Sequence, residues 1–123
     1  MGYMVHHALV VTGLGRDEYT SPNWVTADDA HAVAVEIAQR LGACKVTALT
    51  AFATNGYRSF MIAPDGSKAG WQTSQNGDQT RAEMVAWLRD KDRSGWLSWA
   101  VVRFGDEGGD NGLEEHDNDG VDQ

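Results

Sequence analysis

The chain has one cysteine, Cys44, so no internal disulfide can form. Its stability must come from a packed core, and a reducing compartment suits it better than a secreted one. Cys44 itself reads as a small buried hydrophobe at the start of a strand. No apolar run approaches the ~18 residues needed to span a bilayer, so no membrane segment is expected. The first residues, Met1-Gly2-Tyr3-Met4, carry no basic stretch ahead of an apolar run, and no signal peptide is expected. His6 stands where a myristoylation signal places Ser or Thr. A basic excess is also missing, which disfavours direct nucleic-acid binding, since phosphate contacts draw on Lys and Arg.

What is present in excess is acid, and it is unevenly placed. The 123 residues hold 18 acids and 10 bases, a net charge of −8. Residues 105–123 hold eight acids and no Lys or Arg, which leaves ten acids against ten bases in residues 1–104. The segment is rich in Gly, Asp and Asn, with Leu113 and Val121 its only aliphatic residues. It offers too little apolar surface to offset the entropy of ordering it, so a flexible acidic tail is expected after a domain of residues 1–104. Asp117-Asn118-Asp119-Gly120 matches part of a calcium loop but lacks the bidentate glutamate that such a loop needs. Five tryptophans exceed what one small core requires, and aromatics in surplus line interfaces or ligand sites.

Residues 3–12 form a β-rich run ended by Gly13 and Gly15. After a polar loop with Pro22, Thr26 offers an N-cap with Asp28 and Asp29 in the first turn. Ala30, Val33, Ala34, Ile37, Ala38 and Leu41 then recur at helical spacing until Gly42. Residues 45–50 and 57–63 read as strands joined through Asn55-Gly56, a hairpin signal. A second helix is expected from Asp78 or Thr80, where Thr80-Arg81-Ala82-Glu83 fits a capping box, and residues 96–104 form the last strand. The order β-α-β-β-α-β predicts an α+β, ferredoxin-like fold: a four-stranded antiparallel sheet with two helices on one face and the acidic tail beyond it. The strands are apolar on both sides, so the uncovered face predicts a homodimer or higher oligomer joined through the sheet.

The sequence carries none of the common catalytic patterns in full. His6 and His7 are adjacent on a strand and point to opposite faces, so they cannot readily share a metal ion. The two-motif histidine phosphoesterase pattern, H-x-T or H-x-S, is absent. Gly13-Leu14-Gly15 follows a strand, but Glu18 occupies the third glycine position of a dinucleotide fingerprint. No G-x-x-x-x-G-K-[ST] exists, and Arg58 and Ser59 depart from an RNA-recognition motif. No cofactor is implied.

Residues 55–71 remain. They gather a bidentate donor in Arg58, a cation in Lys68, hydroxyls in Ser59 and Ser67, the amide of Asn55, and the rings of Tyr57 and Trp71. Rings to stack on a base, with cations and hydroxyls for phosphate oxygens, are what a phosphorylated heteroaromatic ligand requires. An ordinary strand with a turn and a core tryptophan accounts for the same residues. At this segment the sequence resembles a family of small, mostly uncharacterised proteins of tailed bacteriophages. The resemblance runs through His6-His7-Ala8, Val10-Val11-Thr12, residues 30–34, Asn55-Gly56-Tyr57-Arg58-Ser59-Phe60, residues 63–68 and Gly70-Trp71, and covers most of residues 5–105. The loop 16–25 is longer than the family pattern leads one to expect.

The resemblance implies a phage protein acting in the cytoplasm of the bacterial host against its antiviral defence. On that reading the protein sequesters a cyclic-nucleotide signal as a sponge, without catalysis. Arg58 and Lys68 would meet phosphates and Tyr57 or Trp71 would stack on bases. Asn55, Ser59, and His6 or His7 with Thr12 would hydrogen-bond nearby. Arg58→Ala is then expected to abolish binding with little change in the thermal midpoint. Two alternatives stay open: an inhibitor of the anti-CRISPR type that binds a host defence complex through the tail or sheet face, and a phosphodiester hydrolase.

Overall fold

The computed structural model describes residues 5–42, 45–64, 66, 72–91, 97–105 and 111–117. In chain order its elements are β1 (His6–Leu14), α1 (Ala27–Leu41), β2 (Lys45–Val46), a single 3₁₀ turn (Thr54–Gly56), β3 (Tyr57–Ala63), α2 (Gln72–Lys91), β4 (Ser98–Phe104) and β5 (Gly112–His116). The strands form one antiparallel sheet in the order β2-β3-β1-β4-β5. The fold is therefore α+β, with a five-stranded sheet where four strands were expected. The fifth comes from the acidic segment: Gly112–His116 pairs with β4, so ordered structure extends past residue 104. Composition argued against a strand there. Pairing to an existing edge supplies the backbone hydrogen bonds that the segment's own side chains could not secure.

Strand alternation divides the sheet into two faces. Leu9 and Val11 of β1, Phe60 and Ile62 of β3, and Trp99 and Val101 of β4 turn to one face. They form a single cluster with Ala30, Ala34 and Ile37 of α1 and Met84, Val85 and Leu88 of α2. Both helices thus cover this face. Val46, Val33, Leu41 and Trp87 close its margins.

Helix α1 begins and ends where its residue types dictate. Thr26 is extended and its hydroxyl accepts from the Asp29 amide, while the Asp29 carboxylate accepts from the Thr26 amide at 2.9 Å, completing a capping box. Gly42 ends the helix in the left-handed region at φ 67°, its amide returning to the Ala38 and Gln39 carbonyls. At the β2–β3 connection Asn55 and Gly56 both take positive φ, 62° and 78°, which is why those two residue types stand there. Only Lys45 and Val46 are paired as strand, but Thr47 and Thr50 still donate their amides to the Met61 and Ser59 carbonyls, so the chain follows β3 further.

Helix α2 differs from expectation at its start. It begins at Gln72, and Thr80 lies fully buried inside it, its hydroxyl bonded to the Asn76 carbonyl one turn back. The capping-box match at Thr80 fails because the helix has already begun two turns earlier, and Glu83 accepts instead from Arg40 of α1 and from Gln79. Arg81 is buried and pairs with Asp78.

Asp29 gives the fold a measurable acid sensitivity. Partial burial is the largest influence and opposes its charge, but hydrogen bonds from Arg16 and Thr26 and the Arg16 charge together hold its carboxyl below the usual range. A carboxylate lowered in the folded state stabilises above its unfolded value and loses that contribution as pH falls through the folded one. Asp29→Asn is expected to destabilise by about 1 kcal/mol at pH 7. Its deficit against wild type should shrink below pH ~4, as read by urea titrations at both pH values.

Candidate functional site

The face of the sheet opposite the helices is assembled from rows of paired residues. Tyr57 lies beside Leu14; Ser59, Thr12 and Ser98 form the next row; Met61, Val10, Ala100 and His116 the third; Lys45, Ala63, Ala8, Val102 and Leu113 the fourth; His6 and Phe104 the last. The Thr12 and Ser59 hydroxyls are hydrogen-bonded at 2.8 Å. Val10, Met61, Phe104 and Leu113 are 36–58% exposed, so nothing in the chain's described residues covers this face. No strand carboxylate points to it among the described residues. Glu114 and Glu115 are engaged on the helix side, with His7 and Arg89.

The residues singled out from sequence separate accordingly. Thr12, Tyr57 and Ser59 come together on the open face. His6 shares that face but stands six residues along β1 from Thr12, about 20 Å at strand rise. There its ring packs on Phe104 with centroids 5.4 Å apart. His7 turns to the helix side and bonds the Glu114 carboxylate at 2.7 Å, so the two histidines do diverge. Asn55 sits in the turn. Lys68 and Trp71 lie outside the described residues. Ser98 and His116 join the open face without having been expected there.

Arg58 also turns to the helix side, and its surroundings explain it. Its Nε donates to the Thr50 carbonyl at 2.8 Å and its Nη1 to Asp28 at 2.9 Å, and its guanidinium lies 4.7 Å from the centroid of the Phe52 ring. Asp28 accepts in addition from the Arg16 amide at 2.8 Å. The Arg16 guanidinium reaches Asp29 and the Trp24 and Ser21 carbonyls, which folds the long loop 16–25 around one cation. Gly15 lies under the stem of Arg58 and the ring of Phe52, and a Cβ there would collide with both. In this arrangement Arg58 binds the start of β3 to the start of α1.

A second concavity, of about 290 Å³, lies on the helix side where His7, Asp78, Arg81, Glu114 and Glu115 meet. Its charges are mutually paired through His7–Glu114 and Arg81–Asp78. Among the described residues no group of three or more His, Cys, Asp or Glu could hold a metal ion, and no helix is long and apolar enough to cross a membrane. The chain matches no family model, no curated protein and no solved structure.

The Arg58 geometry reverses one expectation. Arg58→Ala removes two charge-assisted hydrogen bonds and strips Asp28 of its guanidinium partner, an effect of about 2 kcal/mol. The thermal midpoint should therefore fall by roughly 5 °C or more rather than stay constant. Gly15→Ala, which displaces the same stem, is expected to destabilise by about 1–3 kcal/mol.

Proposed function

We propose that the protein binds a nucleotide-derived small molecule on the open face of its sheet without transforming it. The observation that carries this reading is the hydroxyl row Ser59–Thr12–Ser98, next to the ring of Tyr57, on a face to which the described strands turn no carboxylate. Hydroxyls both donate and accept, so a row of them suits the mixed edge of a base or the oxygens of a ribose. The half-buried ring of Tyr57 beside them can stack, and the described strands turn no carboxylate to this face, which spares an anionic ligand from repulsion there. The phage-protein resemblance adds the context: a sponge in the bacterial host cytoplasm that withholds a cyclic-nucleotide signal from antiviral defence. Sequestration asks only for complementary contacts.

The strand order β2-β3-β1-β4, with both helices on one face, supports a ferredoxin-like reading in which β5 is an added edge strand. The exposed Phe104 and Met61 support self-association through another part of the same face. Two chains of net charge −8 can meet there without bringing strand carboxylates together.

Calorimetry and native mass spectrometry against cyclic di- and trinucleotides and cyclic ADP-ribose isomers test the reading. Binding is expected, with intact ligand recovered on denaturation. Thr12→Val with Ser59→Ala should weaken it about tenfold, the scale of one lost net hydrogen bond. Cleaved product would mean a hydrolase, and no binding together with capture of a host defence protein would mean an inhibitor. Phe104→Glu is expected to give monomers in sedimentation at micromolar concentration.

A further inference from the structure

Strand β5 has two differently occupied sides. Its register sets Leu113 opposite Val102 and His116 opposite Ala100, with a bulge at Val101/Val102 that accommodates Glu114 as the extra residue. Leu113 and His116 therefore face the open side, while Glu114 accepts from His7 at 2.7 Å and Glu115 from Arg89 at 3.1 Å on the helix side. The Asp117 amide closes the strand's end on the Trp99 carbonyl at 3.1 Å.

On the open side these residues border a shallow pocket of about 320 Å³, shared with Val10, Thr12, Ser98 and Ala100. Its floor is apolar, from Val10 and Ala100, and Leu113 stands beside it. Its polar residues are Thr12, Ser98, His116 and, at the end of β5, Asp117. His116 Nδ1 lies 2.7 Å from the Asp117 carbonyl, an oxygen that can only accept, so Nδ1 carries the proton and Nε2 is the acceptor of the neutral ring. A flat apolar floor with donors and acceptors at its edge fits a heteroaromatic ring with a mixed edge. Among the described residues no Lys or Arg lines the pocket and Asp117 is an acid at its rim, so its chemistry favours the base of a nucleotide over the phosphate.

We propose that β5 is a wall of the ligand site, resting on the binding reading above. The nucleobase lies on Val10 and Ala100 against Leu113, with Thr12, Ser98 and His116 along its edge. Glu114 and Glu115 hold that wall in place by pairing with His7 and Arg89. The acids of β5 thus serve local attachment, and the strand that composition assigns to a tail is part of the site. The ion pairs are partly exposed, so high salt should loosen the wall.

The test uses the full chain, with nucleoside 5′-monophosphates and cyclic dinucleotides as probes. Leu113→Ser and His116→Ala should each weaken binding about tenfold, with the thermal midpoint nearly kept because both residues lie at the sheet's edge. The double variant Glu114→Gln, Glu115→Gln should speed hydrogen exchange at the β4 amides that bond β5 and weaken binding in parallel. If wild type binds and the Leu113 and His116 variants bind equally well, this inference falls while the binding reading stands. Unchanged exchange in the double variant overturns the attachment by acids. If no probe binds wild type, the binding reading falls and takes this wall with it.

Discussion

Two adjacent carboxylates at the start of α1 tie three elements together. Asp28 accepts from the backbone amide of Arg16, just beyond β1, and from the guanidinium of Arg58 in β3. Asp29 accepts from the Arg16 guanidinium while completing the helix cap with Thr26. Helix start, central strand and neighbouring strand are thereby set relative to one another by charge-assisted hydrogen bonds, roughly twice as strong as neutral ones. Gly15 is the steric counterpart, because the Arg58 stem and the Phe52 ring lie over its bare Cα. Phe60 and Ile62 meet α1 and Leu9 in register only if β3 enters at this corner.

Everything on the open face follows from that register. With β1 at the centre of the sheet, the alternation that buries Leu9 and Val11 must turn Val10 and Thr12 outward. Thr12 meets Ser59 on one side and Ser98 on the other, and the hydroxyl row results. A slip of one residue would move the whole row beneath the helices. The functional reading therefore rests on the same constraint that holds the core.

Some of this is legible in residue types alone. Helix α1 could be read to its caps because Thr26 caps with Asp29, and Gly42 with Ala38 and Gln39, each through groups no more than four residues away. Tyr57–Ala63 and its Asn55-Gly56 turn were equally plain, since positive φ at both turn positions demands those residues. The start of α2 was misread because a capping box is a pattern of four residues that a helix interior can also contain, and here the helix already runs from Gln72. At Arg58 the residue type pointed to the phosphate of a ligand, and the structure gives the guanidinium an anion within the chain. The anion is Asp28, thirty residues away in the chain, and the geometry that selects it is tertiary.

The residue pattern by itself determined the helix-and-strand order as far as β4, the buried stripe of α1, and the divergence of His6 and His7, because each depends on periodicity within one element. Only the tertiary structure decided that Gly112–His116 is a strand. Its stability comes from the β4 edge and from His7 and Arg89, and no property of the segment alone contains those partners. The same holds for Ser98 and His116 joining Thr12 on one face. Rows across a sheet are made by register, and register is a relation between distant stretches of chain.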